Sequence, residues 1–252
     1  MTPFFDLHSH LLFGVDDGAK TKEEMFAMLD MAYADGTRAM CLTPHFSPYL
    51  FGDTYESSRN AFELLSSYAA DVYPDLRLFL GHELGYFEAC PDALRSGRCR
   101  TLGGSRYLLV DFPEDVGFFE IRNAMNRLRS EGYTPVLAHT ERYSCLVGNL
   151  KWVEAFREEG GVVQVNAASA VGDWGRTAKA QWKKLVRSGL AQIVSSDGHN
   201  LTTRKPQISV CMPYLTKWCK PRTVQALVWD HAWNVMRDEP LADGDQDPDR
   251  AE

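Results

Sequence analysis

The 252-residue sequence predicts a single α/β, barrel-like domain. Three observations carry that expectation. Seven short runs rich in β-branched and aromatic residues start 27 to 39 residues apart, about the length of one βα unit. The runs are near-continuously apolar, as parallel strands covered on both faces are. Polar side chains collect where the runs end, at the edge that forms the functional face of parallel α/β folds.

In chain order the expected strands are Phe4–His8, Arg38–His45, Arg77–Glu83, Tyr107–Phe112, Thr134–His139, Val162–Asn166 and Ala191–Asp197. The first helix is announced by Thr21-Lys22-Glu23-Glu24, a capping box with Thr21 as N-cap and Glu24 as its reciprocal partner. Met25, Met28, Leu29 and Ala32 follow at helical spacing, and Gly36 stops the helix before the second strand. Further helices are expected over 56–72, 118–131, 150–159, 176–188 and 222–236, with Gly132, Gly160 and Gly189 just past three of them. No Gly-, Ser- or Pro-rich linker interrupts this rhythm. The domain therefore runs over residues 1–237.

Charge locates the rest. Residues 238–252 carry seven acids against Arg250 and are expected to be a disordered acidic tail. Of the formal charge of −7, almost nothing is left for the body, so no basic surface invites nucleic acid. The six cysteines contain no CxxC and no zinc-type spacing, a pattern of reduced thiols. The N-terminus is not a signal peptide, and no apolar run approaches the roughly 20 residues of a membrane helix. A soluble, cytoplasmic protein is expected.

The strand ends carry the chemistry. The first closes on Asp6-Leu7-His8-Ser9-His10, the second on His45, the third on His82-Glu83, the fourth on Asp111, the fifth on His139 and the seventh on Asp197-Gly198-His199. A lone histidine at such a place is usually a hydrogen-bonded structural residue, and a lone Asp a helix cap. His231, in the last helix, takes that structural reading, and so does His82. His8, His10, His45, Glu83, Asp111, His139, Asp197 and His199 differ because they converge from six strands. Buried together without cations, three carboxylates and five imidazoles would be costly to desolvate. Mixed imidazole and carboxylate ligands suit Mn, Fe or Zn, and their number exceeds what one ion uses. Such clusters are typical of phosphoester hydrolysis.

DLHSH, VDDGAKTKEE, TPH, AHTERY and SSDGHN together resemble the PHP (polymerase and histidinol phosphatase) superfamily. They are most similar to the bacterial manganese-dependent protein-tyrosine phosphatases of capsule and exopolysaccharide operons, the CpsB/YwqE type. The resemblance runs from about Phe5 to Arg204. It implies a distorted (β/α)7 barrel with two or three divalent ions, manganese first. On that pattern His8, His10, Glu83 and Asp197 hold one ion, and Glu83, Asp111 and His139 a second. Asp17, His45 and His199 hold a third, with Asp16 as the alternative to Asp17. Arg142 of AHTER and Arg204 after SDGHN are implied substrate-phosphate ligands, acting with Asp197. Position 111 departs from the pattern, carrying Asp where close relatives usually carry Glu. The implied partner is a phosphotyrosine protein, a tyrosine kinase of polysaccharide export.

The expected reaction is thus hydrolysis of a phosphomonoester by metal-activated water, with the two arginines on the phosphoryl oxygens. The Cys-x5-Arg loop of thiol phosphatases is absent. Phe46, Tyr49, Phe51 and Tyr55 of the 46–60 loop are candidates for an aromatic rim. The alternatives are a phosphatase of the same superfamily acting on a small ester such as histidinol phosphate, and a non-catalytic metal-binding module. An amidohydrolase would need a bridging Lys and a further His where Asp111 and Asn166 stand.

Overall fold

The computed structural model describes residues 2–241. Among these residues nine short strands account for the seven expected runs: β1 (Phe4–Asp6), β2 (Thr37–Leu42), β3 (His45–Phe46), β4 (Arg77–Leu80), β5 (Glu83–Gly85), β6 (Tyr107–Asp111), β7 (Thr134–Leu137), β8 (Val162–Asn166) and β9 (Ile193–Ser195). Two runs are broken, one at Thr43-Pro44 and one at Gly81-His82. Pro44 has no N–H to give to a ladder. All ladders are parallel, in the orders β1-β2-β4 and β3-β5-β6-β7-β8-β9.

Because β3 continues β2 and β5 continues β4, the two sheets join into one distorted barrel. β9 meets β1 only at its end, where His10 N–H donates to Gly198 O (2.8 Å) and Asp197 N–H to His8 O (2.9 Å). On the other side, the 3-10 turn Leu102–Gly104 packs between β4 and β6, whose ladders do not touch.

Helix α1 (Lys22–Asp35) begins at Thr21, whose hydroxyl accepts from Glu24 N–H, and ends on Gly36. Glu24 does not complete the expected box. Its carboxylate accepts from Lys20 N–H (2.7 Å), one residue ahead of the cap. α2 (Tyr55–Val72), α4 (Phe118–Ser130), α5 (Leu150–Glu158) and α6 (Gly175–Arg187) lie within a residue of expectation, whereas α3 (Cys90–Arg95) and α7 (Met212–Trp218) had no clear signal. α8 (Pro221–Gln225) passes through a π-helical turn, Ala226–Asp230, into α9 (His231–Met236). This last stretch plugs the N-terminal mouth of the barrel. Trp229 and Trp233 pack with Phe5, Phe79, Tyr107, Val162 and Ile193, and the Phe5 and Trp233 rings are 5.1 Å apart. His231 is structural, its Nδ1 on Gln192 O at 2.6 Å.

The tail expected from Asp238 falls mostly on residues 242–252, outside those described. Its first four residues are fastened to the body. Arg106 N–H donates to Asp238 Oδ1 (2.7 Å), Tyr107 Oη–H to Glu239 O (2.7 Å) and Asn234 Nδ2–H to Pro240 O (3.2 Å), while Leu241 joins the plug.

Candidate metal centre

The C-terminal ends of the strands, with the loop that precedes the first helix, gather the other eight candidate ligands around Glu83. Register places the first pair, since His45 on β3 is the cross-strand partner of Glu83 on β5. His45 Nδ1 lies 3.0 Å from Glu83 Oε2, and His10 Nε2 lies 3.2 Å from the same oxygen. On the other carboxylate oxygen, His8 Nε2 is at 3.2 Å and His139 Nε2 at 3.1 Å. Asp197 Oδ1 is 3.5 Å from His8 Nε2 and 3.4 Å from His199 Nδ1. Asp111 Oδ1 is 3.4 Å from His139 Nε2, and Tyr143 Oη–H donates to it at 3.2 Å.

Asp16 and Asp17 divide their duties. Asp16 is turned inward, accepting from His45 N–H (2.9 Å) and sitting 2.7 Å from His10 Nδ1. Asp17 instead puts Oδ1 3.5 Å from His45 Nε2 and 3.3 Å from His199 Nε2. Gly18 makes this arrangement possible, because a Cβ there would stand 1.9 Å from the His10 carbonyl oxygen.

Two site residues depend on backbone that an L residue rarely adopts. His139 has φ +32° and Asp197 φ +53°. On a regular strand His139 would alternate away from Val136 and Ala138, which face the barrel interior. The left-handed turn brings its imidazole back over the site, at a strain of about 1–2 kcal/mol.

Burial pushes the Glu83 carboxyl up, but the surrounding His8, His45, His10 and His139 outweigh it and hold it well below the usual range. Asp197 is likewise held low, by His8, Arg204 and His199 against its burial. His199 is lowered too, to about 4, but because burial and neighbouring His10 disfavour its cation. A ring kept neutral is a competent metal ligand.

The donors fit divalent metal. His10, Asp17, His45 and His199 can bring one atom each within 4.8 Å of one another, as can His8, His10 and Asp197, and His45, Glu83 and Asp111. The near contact of two imidazole nitrogens, His8 Nε2 and His10 Nε2 at 3.1 Å, is one that a shared cation relieves. None of the six cysteines belongs to these groups, and burial pushes the thiols of Cys41, Cys99 and Cys211 far up.

Both arginines reach the cluster. Arg204 Nη2 lies 2.9 Å from each Asp197 oxygen, and Arg142 Nη1 lies 3.6 Å from Asp197 Oδ2. Arg142 is not the free fork its motif suggests. Its Nε and Nη2 both donate to Glu114 Oε1, at 3.0 and 2.5 Å. Glu141 faces inward, accepting from Asn166 N–H (3.0 Å) and Ser169 Oγ–H (2.6 Å).

His82 points away from the site. Its Nδ1 accepts from Arg100 N–H (3.0 Å), and burial beside Arg100 lowers its pKa to about 3. The aromatic loop is only partly a rim. Phe46 is buried on His82, and Tyr55 lies under the Arg100 guanidinium at 3.5 Å. Phe51 stacks on the His45 ring at 5.2 Å, and exposed Tyr49 meets Phe87 at 5.9 Å.

Gln164 and Asn166 were not expected at the site. Gln164 Oε1 accepts from His139 N–H (2.7 Å) and lies 3.3 Å from His8 Nδ1, and Asn166 Nδ2–H donates to Asp197 Oδ2 (2.8 Å). Polar residues at alternate places in the otherwise apolar run Val162–Asn166 were the available signal.

Fold and site together define the class: a parallel α/β barrel with a face of clustered imidazoles and carboxylates, able to hold metal, beside two arginines. Residues 4–237 match the family described as Capsular polysaccharide synthesis, CpsB/CapC, and the chain belongs to that family. The tyrosine-protein phosphatase CpsB of Streptococcus pneumoniae is 29% identical over 239 residues, spanning 93% of this chain and 98% of the relative. The tyrosine-protein phosphatase YwqE of Bacillus subtilis is 28% identical over 199 residues, 79% and 78% of the two chains. A crystal structure from work on YwqE of B. subtilis and CpsB of S. pneumoniae, described as metal-dependent tyrosine phosphatases, shares the fold at a TM-score of 0.86. It has 24% identity and covers 95% and 97% of the two chains. Dihydropyrimidinase of Brevibacillus agri shares the barrel alone, at a TM-score of 0.54 and 11% identity over 97% of this chain and 73% of that one.

Proposed function

We propose that the chain is a metal-dependent protein-tyrosine phosphatase of the cytoplasm whose substrate is a tyrosine kinase of polysaccharide export. One observation carries the reading. Imidazoles and carboxylates able to hold several cations lie directly beneath two guanidiniums that share Asp197. The named activity of the CpsB and YwqE relatives supports it.

The proposed ligands are His8, His10, Glu83 and Asp197 for one ion, Glu83, Asp111 and His139 for a second, and Asp17, His45 and His199 for a third. Manganese is favoured, in a donor set without thiolate that iron or zinc also accepts. Bound there, divalent cations supply acidified water and offset phosphoryl charge.

The chain's own residues do the rest. Arg204 and the Nη1 of Arg142 meet the non-bridging oxygens, whose charge grows in the transition state. Asp16 and Gln164 keep His10 and His8 from rotating, and Asn166 fixes Asp197. Phe51, stacked on His45, offers an apolar edge for an aryl group. A phenol leaves with a pKa of about 10, so it depends little on a general acid.

The test is hydrolysis of a phosphotyrosyl peptide and an aryl phosphate, with metal content measured on the same sample. Activity should disappear on exhaustive chelation and return with manganese. Activity indifferent to chelation would defeat the proposal, and a strong preference for histidinol phosphate would move the substrate to small esters.

A further inference from the structure

Trp174 is a large aromatic that the apolar core does not use. Among the described residues it belongs to none of the three buried apolar clusters, although the chain's five other tryptophans pack into or against them. It stands between β8 and α6, immediately before the helix. Gly172 (φ +101°) and Gly175 (φ +86°) bracket it, and both conformations are strained for any side chain. The loop is thus bent sharply on either side of one half-buried indole.

That indole touches the two arginines of the site. The Arg142 guanidinium carbon lies 3.8 Å from the ring centroid and that of Arg204 5.1 Å, both within cation–π range. Two like charges held close repel, and each also has an acid to hold it elsewhere. Arg142 is drawn to Glu114, which is exposed, and Arg204 to Asp197 and, at 3.6 Å, Asp17. Glu114 grips one edge of Arg142, and the indole face restrains its plane. Only Nη1 is left directed toward Asp197.

On the phosphatase reading above, we propose that Trp174 is the positioning residue for the phosphoryl-binding pair, holding Arg142 and Arg204 aligned on one indole before substrate arrives. Pre-alignment spares the entropy of ordering two long side chains on binding. It also makes the indole's electron-rich face, rather than its bulk, the property that matters.

The experiment compares Trp174→Phe, Trp174→Leu and Trp174→Ala in the manganese-loaded protein. Three readouts are taken: kcat/KM on aryl and alkyl phosphates, inhibition by inorganic phosphate, and calorimetric binding of inorganic phosphate. Leu and Ala should lose kcat/KM on the order of tenfold on both substrate types and weaken phosphate binding in parallel. Phe should recover part of each, with metal content and melting as in the wild type. In an Arg142→Ala background the Trp174→Leu loss should shrink, since one of its two charges is gone.

Leu performing as well as Phe would overturn the proposal. So would a loss confined to aryl substrates with phosphate binding intact, because the indole would then face the substrate ring. Wild-type protein that binds phosphate without hydrolysing esters would defeat the phosphatase reading instead, leaving the binding series to judge Trp174.

Discussion

The two ends of the barrel are built from the same strands and have opposite chemistry. Along β6 the inward residues read Tyr107, Leu109, Asp111 and along β8 Val162, Gln164, Asn166, while β9 starts inward at Ile193 and is followed, two residues past its end, by Asp197. Each row starts in the apolar plug around Trp229 and Trp233 and finishes at the candidate metal centre. Alternation decides which side chains face inward, and distance along the strand decides what they meet there. Strain follows the same division. Of the three described non-glycine residues with positive φ, His139 and Asp197 lie at the polar end. The plug end supplies packing, which lets the other end hold like charges and left-handed backbone that would otherwise destabilise it.

If that division is real, substitutions at the polar end should cost chemistry and spare the fold. Asp197→Ala should show the largest effect, because it removes a proposed metal ligand together with the group both arginines face. We expect turnover to fall on the order of 10³-fold, with lower metal content and an unchanged circular dichroism spectrum. Full metal content with substantial turnover would remove Asp197 from the ligand set.

Arg142 comes next. Arg142→Ala should cost on the order of 10²-fold in kcat/KM while metal content and melting stay put, by analogy with loss of one oxyanion donor. Arg142→Lys keeps the charge but can neither satisfy Glu114 through two nitrogens nor lie flat on Trp174, so it should recover little. Wild-type kcat/KM in both would leave the phosphate to Arg204 alone.

These two sites also show how far the sequence was legible. His8, His10, His45, Glu83, Asp111, His139, Asp197 and His199 could be picked out because each ends an apolar run, and a polar residue there has no packing reason to exist. What surrounds them was not readable. Gln164 acts through His8 and His139, which lie 156 and 25 residues away, and Glu114 through Arg142, 28 residues on. Such partners are set by which strands become neighbours. The breaks at Thr43-Pro44 and Gly81-His82 were hidden because a broken run keeps its apolar composition. The plug was hidden because a helix pattern does not say which mouth it covers.

The apolar end gives the converse prediction. Trp233→Ala opens a cavity against Phe5, Phe79 and Trp229 and should cost about 3 kcal/mol of stability. At about 2–4 °C per kcal/mol that is a clear drop in Tm. Metal content and kcat of the folded protein at low temperature should not change. A matching loss of kcat would show that the ends are mechanically coupled.

The smallest effect sharpens where the apolar end stops. Chain removed after Leu241 takes away residues 242–252, which hold five acids among eleven residues and no apolar side chain larger than Ala or Pro, so Tm should stay within experimental error. Chain removed after Arg237 takes away more than acid. The Asp238 carboxylate that receives Arg106 N–H goes, as do the Glu239 carbonyl that receives the Tyr107 hydroxyl and the Pro240 carbonyl that receives Asn234. Leu241 leaves the plug with them. Water replaces these partners at an exposed rim, so the net contribution of each hydrogen bond is only about 0.5–1.5 kcal/mol. A fall in Tm of a few degrees is expected for this shorter chain, read by differential scanning calorimetry against the chain ending at Leu241. Phosphatase turnover should be the same in both, because the cut lies at the mouth opposite the metal centre. Equal melting of the two truncations would place the end of the folded body at Arg237, and a large loss on removing 242–252 alone would extend it beyond Leu241.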